Sequence, residues 1–332
     1  MKRIITLFLT LALTLSLATC AAPGEKADDG RLQIVATLFP YYDFARAIAG
    51  GRADVTLLLS PGREAHSFEP TPLDAVTISE ADVFLYNGGE GEYWVEEMLD
   101  AAGEHIAVKA RMMDYVDALG EEFSEGMQGA DEHGHDHDHD DHDHDHEEDE
   151  HDSDEVEYDE HIWTSPKNAV VLCRAVCEAI CKADPANEDF YRANCDDYCA
   201  QIEALDARFA DLCESAPRKL LIFADRFPML YFCREYGLDY RAAFHGCSGD
   251  TEPSLATIKF LIDKVEDENI PVVYTIDFGT KKVAAVVSEC TGAAIETIYS
   301  MQTVSRADFD AGETYLTLME RNFEALRKGL SE

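Results

Sequence analysis

"NEDFYRANCDDYCAQIEALDARFADLCES", residues Asn187 to Ser215, decides the architecture. Phe190, Asn194, Tyr198, Ile202, Leu205, Phe209 and Leu212 recur at steps of three and four, with no Pro or Gly between them. That spacing predicts one unbroken helix, opening after the Asp184-Pro185 pair and closing before Pro217. At about 1.5 Å per residue it spans roughly 40 Å, the width of a small domain. A helix of that length between two folded halves is a stiff spine, so closure around a ligand would be small.

Outward from the spine, short apolar runs alternate with helical patterns. Before it, Leu32–Leu38, Val55–Ser60, Asp82–Gly88 and His105–Ala110 read as buried parallel strands. Between them "YYDFARAIAG" and "EYWVEEMLDAAG" have helical spacing and end at Gly. After it, Lys219–Ala224, Tyr240–Phe244, Pro271–Ile276 and Ala294–Tyr299 alternate with helices, the last from about Asp310 to Leu330. The expected fold class is α/β: two lobes with parallel-type sheets, residues 31–185 and 216–332, joined by the spine at 186–215.

The N-terminus reads as an export signal, residues 1–19: "MKR", then an apolar run from Ile4 to Ala18. That run is short for a membrane span and suits a signal peptide. It ends in "LATC", which resembles a bacterial lipobox and makes Cys20 the lipidated residue, with 20–30 a polar tether. The expected location is exported, anchored by lipid to the outer face of the cytoplasmic membrane.

The chain carries 27 Lys and Arg against 67 Asp and Glu, a formal charge of −40. Of those acids 21 fall between Glu121 and Glu160, where there is no Lys or Arg. Such a block repels itself, so residues 121–157 are expected to be a disordered, solvated loop. The acidic balance disfavours nucleic acid and favours cations. Within the block stand His133, His135, His137, His139, His142, His144, His146 and His151. Imidazoles at that density bind transition metals. Their role, principal site or accessory, depends on the flanking sequence.

Two flanking stretches carry more specific chemistry. "SPGREAHSFEPTP", Ser60 to Pro72, follows a strand, which puts His66 at a carboxyl edge, where open α/β sheets bind ligands. "YDEHIWTSPKNA", Tyr158 to Ala169, puts His161 just before a helix starting near Pro166. Taken alone, either histidine reads more readily as structural than as a ligand. Together they resemble the solute-binding proteins of ABC transporters that import zinc or manganese, which carry PG-x-x-x-H-x-FEPTP and D-x-H-x-W-x-x-P-x-N. The resemblance runs from about Leu32 to Leu330.

It implies two α/β lobes, a spine helix, and a metal bound in the inter-lobe cleft by His66 and His161. Such proteins complete the site with a His or Glu and then an Asp or Glu from the second lobe. Here "FADRFPMLYF" stands where zinc importers often read "HDAF", leaving Asp225 as the candidate donor; its other reading is a helix N-cap. Asp277, ending a strand in "YTIDFGTKKVA", matches the fourth position. The Gly-rich loop "AAFHGCSGDTEPS" should line the same cleft, so His245 or Cys247 could replace or supplement Asp225, with Glu252 capping the next helix. His105 reads as structural.

Two imidazoles and two carboxylates suit reversible capture of Zn2+, with Mn2+ the alternative. Zinc importers often carry a His-rich insertion, which makes the loop an accessory that concentrates metal. The implied partners are a membrane permease and its separate ATPase, and the chain is expected to be a monomer. No GxxxxGK[ST], HExxH or GxSxG motif is present, so the expected role is not enzymatic. The rival readings are a surface metal buffer or adhesin acting through the loop, and a zinc hydrolase with Glu160 as base.

Nine cysteines lie beyond Cys20. Cys173, Cys177 and Cys181 recur at i, i+4, i+8, and Cys195 and Cys199 at i, i+4, so each set shares one helix face. The leading reading is small apolar core residues. An inter-helix disulfide and a thiolate metal site are the alternatives.

Overall fold

The computed structural model describes residues 30–65, 68–102, 105–128, 157–248 and 252–331. His66, Cys20 and the eight loop histidines from His133 to His151 lie outside the described residues. The first sheet contains β1 (Leu32–Ala36), β2 (Ala53–Leu57), β3 (Val83–Tyr86) and β4 (Val108–Arg111), all parallel, in the order β2-β1-β3-β4. Its connections carry α1 (Phe39–Ala49), α2 (Pro72–Ser79) and α3 (Trp94–Ala102). A hairpin of α4 (Pro166–Ala183) and α5 (Glu188–Ser215) follows. The second sheet contains β5 (Leu220–Phe227), β6 (Asp239–His245), β7 (Val272–Ile276) and β8 (Ala294–Ile298), parallel, in the order β6-β5-β7-β8. Around it stand α6 (Leu230–Tyr236), α7 (Leu255–Asp267), α8 (Lys282–Thr291), α9 (Arg306–Ala311) and α10 (Tyr315–Ser331).

The spine helix is present over 28 residues, as its periodicity predicts. Its buried face differs at the start: Tyr191 and Cys195 are buried, whereas Phe190 and Asn194 are only half-buried. Steps of four residues advance about 40° beyond a full turn, so the series 190, 194, 198, 202 drifts around the helix. Phe190 faces outward far enough for the Arg52 guanidinium to sit 3.9 Å from its ring centre.

One apolar core runs through both sheets and includes Phe84, Trp163, Ile202, Phe209, Phe223, Tyr274 and Leu326. A smaller one, with Ile222, Leu261, Val273 and Val287, lies on the other face of the second sheet. Polar ties reinforce the shared core. The Tyr198 hydroxyl (2.5 Å) and the Tyr315 amide (2.9 Å) both donate to Oδ2 of Asp43 on α1. The Trp163 indole donates to the Ser300 carbonyl at 2.8 Å. Phe209 is fully buried, with Phe232 and Phe323 ring centres at 5.0 and 5.3 Å. Phe209→Ala is expected to cost about 3–5 kcal/mol in urea unfolding; a loss under 1 kcal/mol would mean the spine does not bear on this core.

Local boundaries differ from the sequence reading in several places. The loop expected to be disordered from residue 121 is ordered through Gln128, because Met127 is buried and the Gln128 amide donates to the Ala243 carbonyl at 3.0 Å. β5 runs on to Phe227, beyond the expected Ala224. The strand expected from His105 begins at Val108. The final helix is two, because Gly312 at φ +79° closes α9 before α10 opens at Tyr315. Ser254, not Glu252, caps α7, its side chain accepting the Thr257 amide at 3.1 Å.

Candidate metal centre

The carboxyl ends of both sheets face one crevice. Its walls are Glu64 and Ala65 after β2, His161 before α4, Arg226 near the end of β5, Gly246 after β6, Ile276 and Phe278 around the end of β7, and Ser300, Gln302 and Thr303 after β8. This is the edge at which parallel sheets present their loops to ligands.

His161 is the best-defined member. It opens a short 3-10 turn, Ile162–Thr164, that leads into α4, where Ser165 caps the Asn168 amide. Its side chain is 2% exposed, and Oδ1 of Asp159 receives both the His161 amide (2.8 Å) and Nδ1 (3.1 Å). A carboxylate on Nδ1 sets the tautomer that presents Nε2 as the ligating nitrogen. Burial alone would lower the imidazole's pKa, but the charges of Asp159, Glu160 and Glu121 outweigh it and raise it. Close approach of the Gly246 backbone completes the wall: a Cβ there would sit 3.1 Å from the His161 ring.

Asp277 follows β7 directly, half-buried, with Oδ1 accepting the Ser300 amide at 3.2 Å. Burial pushes its pKa up to about 7. Among the described residues it forms no ion pair with Lys or Arg, so a cation would satisfy it. Its neighbours Ile276 and Phe278 line the crevice.

Asp225 is not a helix cap. It lies within β5, where the pairing register with β6 shifts between Phe223 and Arg226, and α6 starts only at Leu230. Oδ1 accepts the Arg226 amide (2.9 Å), while Oδ2 accepts the Thr275 hydroxyl (2.6 Å) and the Ile276 amide (3.3 Å). A Cβ on Gly279 would fall 1.8 Å from Oδ2, so only glycine lets the turn after β7 close over this carboxylate. Asp225 thus braces the turn that carries Asp277, with one lone pair of Oδ1 left over.

His245 and Cys247 flank Gly246 but are drawn toward Glu121, at the base of the His-rich insertion. His245 Nδ1 forms an ion pair with Glu121, whose Oε1 accepts the Cys247 amide at 3.2 Å. Burial, then the charges of Glu121, Asp159 and Glu160, push the Cys247 thiol far up. His105 lies away from the crevice walls, exposed in the loop before β4. His66 follows Ala65, a crevice residue, but its own placement is outside the described residues.

Sequence reasoning did not find three contributors. Arg226 pairs with Glu64 at 2.7 Å, joining the loop before His66 to the second sheet. Asp159 orients His161; its signal was the Asp two places before the histidine in "DEH". Glu92 lines the neighbouring cavity with Ala65, Glu160 and Gln302; its Oε2 accepts the Asn87 (2.7 Å) and Gly88 (2.9 Å) amides, and burial lifts its pKa to about 7.

A family model described as "Zinc-uptake complex component A periplasmic" matches residues 34–329. The high-affinity zinc uptake system protein ZnuA of Bacillus subtilis is 32% identical over 328 residues, covering 98% of this chain and 97% of that one. The zinc-binding lipoprotein AdcA of Streptococcus pneumoniae is 29% identical over 321 residues; the chain spans 60% of that relative's length. The solved Zn(II)-bound ZnuA-like domain of the pneumococcal AdcA superposes with a TM-score of 0.71 at 25% identity, covering 91% of this chain and all of that one.

Proposed function

Because the chain belongs to the family of periplasmic A components of zinc-uptake complexes, we propose that it is an extracytoplasmic receptor that binds Zn2+ in the crevice and passes it to a membrane permease driven by a separate ATPase. The observation that carries this reading is His161, sequestered at 2% exposure with Asp159 on Nδ1, in a crevice whose walls include Ile276 and Phe278 on either side of the buried carboxyl Asp277. His66, His161 and Asp277 are the ligands of this reading, and Asp225 supplies the fourth through Oδ1 while holding the Asp277 turn. Two imidazoles and two carboxylates form a neutral-plus-anionic set that matches a divalent ion of intermediate softness. Mn2+ is the alternative cargo, since an oxygen donor replaces a histidine at the third position. Four protein ligands leave no open position for a reacting water, which argues against hydrolysis.

Cys20 is the proposed lipid anchor, and the histidines from His133 to His151 are a capture device beside the crevice. Cells whose chromosomal copy is deleted are expected to lose zinc accumulation in chelated medium, to regain it with the full chain or one lacking residues 131–152, and to fail with His161→Ala. Full rescue by the His161 variant would overturn the crevice reading. Collapse on removing the loop alone would make the loop the principal site.

Glu64 has a calculable part. It neutralises Arg226, a fixed positive charge in the wall of a cation site. Glu64→Gln should weaken zinc binding about tenfold, by restoring that repulsion. Unchanged affinity in a chelator-competition titration would show that Arg226 lies too far from the ion to matter.

A further inference from the structure

Five cysteines lie between α4 and α5, away from the crevice. The two helices form an antiparallel hairpin in which the Cys195 thiol faces the Cys173 carbonyl at 3.8 Å and the Cys199 thiol faces the Val170 carbonyl at 3.9 Å. The sulfurs of Cys173, Cys195 and Cys199 all lie within 4.8 Å of one another, the one such group of potential metal ligands among the described residues. All three are 4% exposed or less. Cys177, 2% exposed and one turn further along α4, has its sulfur 3.9 Å from that of Cys181.

We propose that Cys173, Cys195 and Cys199 form a second, structural metal site for a single thiophilic ion of the Zn2+ class. Zinc–sulfur bonds of about 2.3 Å in a tetrahedron place sulfurs about 3.8 Å apart. The Cys195–Cys199 separation is 3.9 Å, so one helix turn already supplies one edge of that figure. Cys173 enters from the facing helix, which makes the ion a clamp across the hairpin.

Charge supports the assignment. Zn2+ displaces three protons from three thiols, and the resulting centre carries one net negative charge. Arg174 lies beside it on α4, and the charge of Cys199 is the largest influence raising the Arg174 pKa. Cys195 Sγ lies 3.9 Å from Cys199 Sγ, and the thiols titrate together, Cys195 pushed down and Cys173 pushed up by their mutual contacts. A buried thiolate without a counter-ion is costly, and a metal removes that cost.

The site is tested on the full chain with Co2+ as probe, because sulfur-to-cobalt charge-transfer absorption is silent for imidazole and carboxylate ligands. With Co2+ in excess over the crevice and the loop histidines, the band is expected to saturate at the intensity of one thiolate-bound cobalt per chain, and Zn2+ to bleach it. Cys195→Ala should abolish it, while Cys247→Ala and His161→Ala leave it intact; the His161 control separates this proposal from the crevice reading. In the unmutated chain, bound Zn2+ should also protect at least three thiols from alkylation, a readout that holds even if Cys195→Ala fails to fold. No band together with no protection would overturn the proposal and leave the cysteines as core residues. A mass two units lower in the purified chain, locating a Cys173–Cys195 disulfide, would overturn it in favour of a cross-link.

Discussion

In a chain lacking residues 131–152, His161→Ala is expected to lower zinc affinity by more than ~100-fold, and Asp159→Ala by ~10–100-fold. The two magnitudes test one arrangement. Under the proposed reading, removing the imidazole deletes a bond to the ion and leaves Asp277, already pushed up to about 7 by burial, with one positive or neutral partner fewer. Removing Asp159 keeps the ligand but frees the ring to rotate and lets Nδ1 compete as the deprotonated nitrogen. Competition against a chelator of known affinity reads both. Equal losses for the two variants would mean that Asp159 itself binds the ion; no loss for either would put the cargo elsewhere.

The second large effect is a dependence of stability on pH that runs opposite to the usual acid denaturation. Asp277 and Glu92 both have folded pKa values of about 7, raised by burial above the ordinary carboxylate range. Each therefore binds a proton in the folded state that the unfolded chain has released. Stability from these groups is fully present below pH ~4 and is lost as the pH rises toward and through about 7. The slope is up to ~1.4 kcal/mol per pH unit for each group, smaller for half-buried Asp277 because water screens it. Raised His161 acts in the same sense, since its contribution is present at low pH and lost as pH rises through its elevated pKa. Carboxylates with lowered values, such as Glu121 and Asp308, lose their contribution only as the pH falls through their own pKa, below this window.

The metal-free protein is accordingly expected to melt at lower temperature at pH 7.5 than at pH 5.5. Zinc should reverse the order, because binding expels the protons from His161 and Asp277 and is favoured at high pH. The zinc-induced rise in Tm should therefore grow from pH 5.5 to 7.5, and Asp277→Asn should flatten the metal-free profile. A metal-free Tm that climbs steadily across this range would sink the assignment of these buried carboxyls. The same proton exchange implies release of cargo on acidification, with affinity falling about tenfold per pH unit for each histidine that must protonate.

Much of this molecule was legible before any coordinates. Eight apolar runs became the eight strands among the described residues, because buried parallel strands need continuous Val, Ile and Leu, and Gly or Pro punctuates their ends. The spine was legible because 28 residues without a helix breaker leave few alternatives. His161 and Asp277 were placed at strand edges or helix starts, and the fold puts them there. Local periodicity and capping chemistry act over one to four residues, so sequence reports them directly.

What tertiary structure alone decided are relations between residues far apart in the chain. Asp225 read as a ligand or a cap; a register shift inside β5 and the glycine turn at Gly279 rule out the cap and make it a brace for the Asp277 loop as well, through Thr275, 50 residues away. Arg226 and Glu64, separated by 162 positions, meet across the crevice. Cys173 and Cys195 have unremarkable spacing until a helical hairpin puts their sulfurs together. Position along a chain fixes which turn a side chain occupies. Only packing fixes which charge it faces, and it is those long-range encounters that set the pKa values and bring the candidate ligands together.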